Sequence, residues 1–320
     1  MLYFISDPIY TTHKTGPWHP EQPARTSVIV QALEKAGLKT AKNTLSPRFA
    51  LENEVLLCHT QPYFRLVQQE VKALENPEEI ADLSTGDVVI SAHSFDAALK
   101  AAGGVIIAVD KVMEAPQTRA FCIIRPPGHH ACSFRGMGFC LFNNAAIGAR
   151  YAQKKYGIEK VLIADWDVHH GNGTQEIFYR DPTVYYFSTH EKGLYPNTGY
   201  ENEIGEGPGL GFTLNCPIKP GIHSREEVLN VFDSLLREKM KLFQPELVII
   251  SAGFDAHEAD PLGHFNLRNE DFGLLTKIIN EIADEYAQGK VVSVLEGGYN
   301  LEALATAAAF HASYLDPDFS

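Results

Sequence analysis

The stretch ADWDVHHGNGT, from Ala164 to Thr174, begins at the last residue of the apolar run 160–164. It places two carboxylates two residues apart and then two adjacent histidines. Because residues i, i+2 and i+4 of an extended chain face the same way, Asp165, Asp167 and His169 share one side as the strand ends. Two carboxylates about 6–7 Å apart repel each other at a desolvated strand end. The stretch therefore predicts a strand end that either binds a cation or keeps one carboxyl group protonated.

Similar short apolar runs recur along the chain and alternate with longer segments of helical pattern. Their lengths suit strands, and their near-continuous apolarity suits strands covered on both faces. The alternation predicts an α/β fold with a parallel sheet and helices on both faces. The predicted strands are 120–124, 160–164, 183–187, 246–251 and 290–295, preceded by a first strand in MLYFI. The predicted helices are 23–36, 61–74, 93–114, 143–155, 223–243, 268–287 and 300–312.

Each of the five internal runs is followed at once by an unusual polar or glycine-rich segment. These segments are RPPGHH (125–130), DWDVHHGNG (165–173), STH (188–190), AGFDAH (252–257) and EGGYN (296–300). In open parallel sheets the carboxyl ends of the strands share one edge, and ligands bind there. We therefore expect five segments that are far apart in sequence to meet in one crevice rich in aspartate and histidine.

Asp255 is the residue best placed to complete a metal site with Asp167 and His169. Carboxylate and neutral imidazole are good zinc ligands, and three protein ligands leave a position open for water and substrate, as in catalytic zinc sites. A site with two metals would need a further carboxylate at the position of Gly171, so one metal is favoured. The alternative is that these side chains are ordinary hydrogen-bonded polar groups, which any one of them alone would more often be.

Composition limits the classes of function. The chain has 320 residues and a formal net charge of -13, so direct binding to nucleic-acid phosphates is disfavoured. It contains no run of about 18 apolar residues that would span a membrane, and its apolar start lacks the basic flank of a signal peptide. The five cysteines form no CxxC pair, which predicts a reduced, cytoplasmic protein. Without a Gly/Ser linker or a repeat, residues 1–320 are predicted to form one domain.

Five motifs resemble those of the zinc-dependent histone deacetylase family, which also includes acetylpolyamine amidohydrolases and bacterial deacetylase-like proteins. They are RPPGHHA, GFCLFNNAAIGARYA, DWDVHHGNGTQEIF, SAGFDAHEADPLG and LEGGYNL. RPPGHH and HHGNGT are more similar to the class II branch than to class I. The resemblance extends from about Trp18 to about Asn300, and it implies the arginase/deacetylase α/β fold with an eight-stranded parallel sheet.

The resemblance also implies roles for the residues that match these motifs. One zinc ion per chain would be bound by Asp167, His169 and Asp255. A structural potassium ion near the zinc would be bound by Asp165, Asp167, His169, Ser188 and Thr189. The residues implied for catalysis are His129, His130, Tyr299, Asp165 and Asn172. The residues implied for contact with the substrate are Gly138, Phe139, Tyr195, Leu262 and Gly298.

The predicted reaction is the hydrolysis of an amide. Zinc would polarise the carbonyl and lower the pKa of a bound water toward about 7, and Tyr299 would donate its hydroxyl proton to the same carbonyl. Asp165 behind His129 favours a charged imidazolium, whereas Asn172 behind His130 is neutral. His130 is therefore predicted to be the less basic ring and the general base, and His129 to stabilise charge.

The family divides between acyl-lysine and acetylpolyamine substrates. In its polyamine-specific class II relative, a Glu stands two residues after the Asp of an Asp-Pro-x-Gly segment, and here that position is Leu262. A neutral leucine favours acyl-lysine in a protein or peptide over an acetylated polyamine. A non-catalytic acyl-lysine binding protein is the alternative from another class, but the chain keeps every implied ligand, both histidines and the tyrosine. The sequence leaves the acyl length and the oligomeric state open.

Overall fold

The computed structural model describes residues 1–76 and 78–318. Its strands, in chain order, are β1 (Leu2–Ile5), β2 (Thr44–Leu45), β3 (Ile80–Asp82), β4 (Val89–Ser91), β5 (Arg119–Cys122), β6 (Val161–Asp165), β7 (Val184–Glu191), β8 (Thr213–Ile218), β9 (Leu247–Ala252) and β10 (Val291–Leu295). Eight of them form one sheet in the order β2-β1-β5-β10-β9-β6-β7-β8, and all neighbours in it are parallel. β3 and β4 form a separate antiparallel pair. The eight-stranded parallel sheet implied by the resemblance is therefore confirmed.

Helices cover both faces of this sheet. They are α1 (Ala24–Lys35), α2 (Glu52–Val55), α3 (Gln61–Lys72), α4 (Ser94–Met113), α5 (Asn144–Tyr156), α6 (Asn172–Phe178), α7 (Ser224–Asn230), α8 (Arg237–Phe243), α9 (Asn269–Tyr286) and α10 (Leu301–Leu315). α3, α4 and α5 belong to one apolar layer, and α1, α9 and α10 belong to the other. In the described part of the chain, no helix is long and apolar enough to cross a membrane.

The inner strands are buried on both faces, which explains their near-continuous apolar sequences. In β6, Val161 and Ile163 pack in one layer of the core, whereas Leu162 and Ala164 pack in the other. Alternate residues of a strand point to opposite faces, so a strand with helices on both sides needs apolar residues at every position.

The predicted first strand and the five predicted inner strands are confirmed as β1, β5, β6, β7, β9 and β10. The two edge strands were not predicted. β8 mixes polar and apolar residues and contains Pro217, which has no N–H to donate and is tolerated at a sheet edge. The seven predicted helices are confirmed, although 223–243 is divided into α7, a π-helical segment at Val231–Leu236 and α8, while α2 and α6 were not predicted.

The strands β5, β10, β9, β6 and β7 are consecutive in the sheet, so their carboxyl ends form one row. Four of the five polar segments leave the sheet from this row, as the sequence predicts. The fifth, STH (188–190), was predicted to follow its strand, but it lies within β7, which continues to Glu191 because it is still paired with β8 there. The segment after β10 turns directly into α10, where the side chain of Asn300 accepts hydrogen bonds from the N–H groups of Glu302 and Ala303. This N-cap fixes the turn that carries Tyr299 at the edge of the sheet.

Candidate active site

Three side chains form a compact, buried cluster at the carboxyl edge of the sheet. Asp167 and His169 follow β6, and Asp255 follows β9. Nδ1 of His169 lies 3.0 Å from Asp167 Oδ1 and 3.2 Å from Asp255 Oδ2. One potential ligand atom from each of the three residues lies within 4.8 Å of the other two. The structure thus brings together the three residues that were predicted to bind zinc.

The raised pKa values of Asp255 and His169 indicate that the cluster favours a positive charge. Burial and the nearby Asp167 carboxylate raise the pKa of Asp255 to about 7. Burial lowers the pKa of His169, but hydrogen bonds to Asp167 and Asp255 outweigh it and raise the pKa to about 10. A bound metal would displace the protons on these two groups, because metal ligands bind in their deprotonated form. The donor set therefore fits a divalent metal, and its oxygen and nitrogen atoms suit zinc.

Gly171 occupies the position where a ligand for a second metal would be needed. An added Cβ there would overlap Asp165 Oδ2 and would lie 2.6 Å from the hydroxyl oxygen of Tyr186. Asp165 Oδ2 already accepts hydrogen bonds from His129 Nδ1 at 3.0 Å and from the Tyr186 hydroxyl at 3.1 Å. The site leaves no room for a further carboxylate at this position, which supports the prediction of one metal.

His129 and His130 lie side by side, with ring centroids 4.1 Å apart. Nδ1 of His129 donates to Asp165 Oδ2 at 3.0 Å, and Nδ1 of His130 donates to Asn172 Oδ1 at 2.8 Å. Burial lowers the pKa of His129, but the carboxylates of Asp167 and Asp165 outweigh it and raise that pKa to about 10. Burial and the charge of His129 lower the pKa of His130 well below its ordinary value. His130 is therefore the less basic ring, as the sequence predicts.

Tyr299 lies on the turn between β10 and α10, and its N–H donates to Asp260 Oδ2 at 2.7 Å. Arg25 binds the backbone of this turn, with Nε donating to the Gly298 carbonyl at 2.6 Å and Nη2 to the Glu296 carbonyl at 2.5 Å. Its guanidinium carbon lies 5.0 Å from the centre of the Tyr299 ring. Burial raises the pKa of Tyr299 well above its ordinary value, so the hydroxyl keeps its proton at neutral pH.

A cavity of about 270 Å³ leads to these groups. Its described lining residues are Asp87, His130, Gly138, Phe139, His169, Leu194, Tyr195, Leu262 and Tyr299. Four of the five residues predicted to contact the substrate therefore line the cavity. Gly298 is not among these described residues, because it lies behind the Tyr299 turn, where an added Cβ would meet Phe254 and Leu304 at 2.9 Å. Its φ of +115° favours glycine, so its role is in the turn and not in the cavity wall.

Asp87, in the loop between β3 and β4, was not predicted. Its Oδ1 accepts hydrogen bonds from the Tyr195 hydroxyl at 3.1 Å and from the Gly138 N–H at 2.8 Å. The cavity thus contains a carboxylate even though Leu262 is neutral. No local pattern marks Asp87, because its partners are 51 and 108 residues away in sequence. The contacts of Arg25 with the Tyr299 turn were missed for the same reason.

The five residues predicted to bind potassium are all buried. Asp165 at the end of β6 is opposite Ser188 of β7 in the sheet register. Ser188 Oγ is hydrogen bonded to His190 Nδ1 at 2.9 Å, and Thr189 Oγ1 has no hydrogen-bond partner among residues 1–76 and 78–318. The set is rich in oxygen atoms, which hard cations prefer. These residues could therefore bind potassium, and the ion itself stays a prediction.

The sequence and the structure of the chain are similar to those of known proteins, and the matches agree with one another. A family model described as the histone deacetylase domain matches residues 19–315. The chain is 38% identical to histone deacetylase 10, chloroplastic, of Oryza sativa subsp. japonica over 91% of this chain and 68% of that protein. It is 39% identical to a probable deacetylase of Archaeoglobus fulgidus over 92% of this chain and 80% of that protein. The crystal structure of the HDA15 HD domain is similar, with a TM-score of 0.90 and 33% identity, over 100% of this chain and 89% of that one.

Proposed function

The chain belongs to the histone deacetylase family, and we propose that it hydrolyses the acyl amide of acyl-lysine side chains in a protein or peptide. One observation carries the proposal. The cavity is walled by Phe139 and Tyr195, and its lining includes His130 and Tyr299. An extended, neutral acyl-lysine stem fits between two aromatic walls and would present its amide to these two polar side chains.

We assign one zinc ion to Asp167, His169 and Asp255. When bound, zinc supplies a Lewis acid for the amide carbonyl and lowers the pKa of a water molecule toward about 7. The three side chains are buried, and His169 also lines the cavity. This arrangement supports a site whose free side faces the substrate, as expected of a catalytic metal.

His130 is the residue to which we assign proton transfer. Asn172 Nδ2 lies 3.4 Å from the sulfur of Cys132 and 3.3 Å from that of Met137, so Oδ1 faces His130 and accepts from its Nδ1. The other ring nitrogen, Nε2, then keeps a lone pair. Such a neutral ring can accept the proton of the attacking water and later deliver it to the leaving amine. The adjacent His129 carries positive charge that stabilises the developing negative charge.

Tyr299 is the residue to which we assign hydrogen bonding to the oxyanion. Its proton remains on the hydroxyl at neutral pH, and the turn that carries it is fixed by Arg25 and Asp260. A donor that is already oriented toward the developing oxyanion contributes about 3–4 kcal/mol to transition-state stabilisation.

An acetylated polyamine is the second candidate substrate, and Asp87 is the observation that favours it. A carboxylate in the cavity lining can pair with a second ammonium group, which Leu262 cannot do. However, Asp87 Oδ1 already accepts two hydrogen bonds, from Tyr195 and Gly138. These bonds use part of its capacity to bind a cation, so acyl-lysine remains the preferred substrate class.

A panel of amides tests the proposal. The zinc-loaded protein is assayed with acetyl-lysine peptides, longer acyl-lysine peptides and acetylspermidine, by measuring the released acid. We expect the highest kcat/KM with an acyl-lysine peptide, loss of turnover on chelation and recovery with zinc. A higher kcat/KM for acetylspermidine would favour the polyamine candidate. Peptide binding without turnover would instead indicate a non-catalytic acyl-lysine binding protein.

We also propose that the protein acts in the cytoplasm and does not bind nucleic acid directly. Its five cysteines are all free, which suits a reducing compartment. Its net charge of -13 opposes binding to phosphate backbones. Microscopy of the tagged protein and a filter-binding assay with DNA and RNA test the two parts separately.

A further inference from the structure

Glu296 is a buried carboxylate to which the proposed chemistry gives no role. It is the first residue after β10, and its side chain is fully buried. Removal of a carboxylate from water is costly unless hydrogen bonds replace its hydration. The hydrogen-bond donors that the structure describes for this carboxylate are all neutral. They are the N–H groups of Gly128 and His129 and the hydroxyl of Ser251.

Both amide donors belong to the turn that carries the tandem histidines. Glu296 Oε2 accepts from the Gly128 N–H at 2.7 Å and from the His129 N–H at 3.1 Å. The preceding residues, Pro126 and Pro127, have no N–H to donate. The N–H groups of Gly128 and His129 are therefore the first backbone donors after the two prolines. Both bind the same atom, Oε2 of Glu296, which fixes the turn.

The backbone of His129 is held from its other side as well. Its carbonyl accepts from the N–H groups of Gly173 and Thr174, in the first turn of α6, at 3.0 and 3.1 Å. The peptide groups before and after the Cα of His129 are thus fixed by separate partners, Glu296 and α6. Because the backbone of His129 is held at both peptide groups, the imidazoles of His129 and His130 have little freedom to move relative to the sheet.

Glu296 also links this turn to two other segments of the site. Its Oε1 accepts from Ser251 Oγ at 3.2 Å on β9, the strand that leads to Asp255. Its own N–H donates to the Ala252 carbonyl at 3.0 Å, and its carbonyl accepts from Arg25 at 2.5 Å. One residue thereby connects the histidine turn, the strand before a proposed metal ligand and the turn that carries the tyrosine.

We propose that Glu296 is a positioning residue for acyl-lysine hydrolysis, because its carboxylate fixes the backbone amides of Gly128 and His129 and so holds the tandem imidazoles at a constant distance from the Asp167–His169–Asp255 cluster. The catalytic consequence rests on the proposed function. The positioning itself rests only on the hydrogen bonds, and it can be measured without turnover.

Two substitutions separate positioning from charge. In Glu296→Gln the amide oxygen can accept from both backbone N–H groups, while the amide nitrogen donates to Ser251. Burial raises the pKa of Glu296 to about 7, so a neutral side chain is a fair mimic. Glu296→Leu has a similar size but leaves both N–H groups without an acceptor. We expect Glu296→Gln to keep kcat within about tenfold of wild type, and Glu296→Leu to lower it by about 10²-fold with KM nearly unchanged.

The backbone amide signal of Gly128 in ¹⁵N NMR spectra provides a readout that does not depend on activity. A short hydrogen bond to a carboxylate moves the amide proton downfield, so this signal should stay downfield in Glu296→Gln and move upfield in Glu296→Leu. Asp271→Leu is the matched control. Asp271 is also a buried carboxylate that accepts from a backbone N–H, that of Arg268 at 2.8 Å, but it lies at the start of α9. Its loss should lower the melting temperature and leave kcat unchanged.

The outcomes are distinguishable. A folded Glu296→Leu protein with wild-type kcat, or with an unshifted Gly128 amide, would overturn the inference. If Glu296→Leu does not fold, Glu296→Gln decides alone: a loss of about 10²-fold in kcat with an unchanged Gly128 signal would mean that charge acts, and not position. If the wild-type protein hydrolyses none of the amides in the panel, the proposed function fails, while the NMR comparison still tests the positioning.

Discussion

The side chains of Asp167, His169 and Asp255 are close enough that their charges must be balanced by protons or by a cation. Replacing Asp255 with alanine leaves two ligands, so we expect Asp255→Ala to lose both bound metal and turnover. Metal content is measured by elemental analysis of the purified protein, with Asp284→Ala as a control because Asp284 is half exposed and pairs with Arg119. An Asp255→Ala protein with full metal content and full turnover would refute the ligand assignment.

His130 and Tyr299 make separate contributions that kinetics can distinguish. We expect His130→Ala to lower kcat by at least 10²–10⁴-fold, roughly the range for a lost general acid–base, because one residue serves in two proton transfers. We expect Tyr299→Phe to lower kcat sharply while the metal stays bound, since only the hydroxyl is removed. A Tyr299→Phe variant that changed KM alone would be inconsistent with a role in the transition state.

Leu262 is a neutral residue in the lining of the cavity, which also includes the carboxylate of Asp87. Leu262→Glu should shift the kcat/KM ratio toward acetylspermidine, because a carboxylate near a partly desolvated ammonium contributes on the order of 1–3 kcal/mol. Leu242→Glu adds the same charge at a position that is 81% exposed, and its long-range effect is screened beyond about 8 Å. An equal effect of the two substitutions, or none from Leu262→Glu, would mean that Leu262 does not select the substrate.

At the level of elements, the turn between β10 and α10 depends on contacts with α1. Arg25 of α1 binds the two carbonyls that flank Gly297, and its guanidinium lies against the face of the Tyr299 ring. A lysine keeps the charge but cannot reproduce the forked geometry of a guanidinium. We therefore expect Arg25→Lys to lower kcat by roughly 10-fold to 10²-fold through misplacement of Tyr299, with a small change in KM.

Arg225→Lys is the control for this element. Arg225 forms a two-pronged ion pair with Asp271 at 2.6 and 2.7 Å, away from the cavity. Its substitution should cost some stability and leave kcat unchanged. If Arg25→Lys and Arg225→Lys lowered the melting temperature equally and neither affected kcat, the Arg25 contact would be structural only.

At the scale of the whole molecule, stability should depend on pH through a buried histidine between the sheet and its helices. Thr276 donates its proton to the Phe272 carbonyl and accepts from His311 Nδ1, while His311 Nε2 accepts from Ser293. The ring is thus fully hydrogen bonded in its neutral form, and burial lowers the pKa of His311 to about 3. In the unfolded chain its pKa is about 6.5.

The folded state therefore resists protonation of His311, and the unfolded state does not. The contribution of His311 to the free energy of unfolding is complete above pH 6.5 and is lost as the pH falls from about 6.5 to about 3. At pH 5 the loss amounts to about 2 kcal/mol. We expect His311→Gln to lose less stability than wild type between pH 7.5 and pH 5, as measured by urea unfolding. His223→Gln, at an exposed position, should behave like wild type, and an unchanged pH dependence in His311→Gln would contradict the prediction.

The sequence by itself determined the parallel inner strands of the sheet and the meeting of the polar segments at their carboxyl ends. Apolar runs of strand length between helical segments require a parallel sheet, and a parallel sheet brings the carboxyl ends of its strands to one edge. Asp167, His169 and Asp255 could therefore be placed together although 88 residues separate the first from the last. The order of basicity of His129 and His130 followed from the types of their partners, one charged and one neutral.

Only the tertiary structure decided which side chains support these groups. Arg25 and Gly298 are 273 residues apart, Glu296 and Gly128 are 168 apart, and Asp87 reaches Tyr195 across 108 residues. Such contacts depend on the paths of loops and the packing of helices, which no local periodicity encodes. The polar edge strand β8 was hidden for a related reason, since one neighbour and partial exposure remove the need for apolar residues at every position.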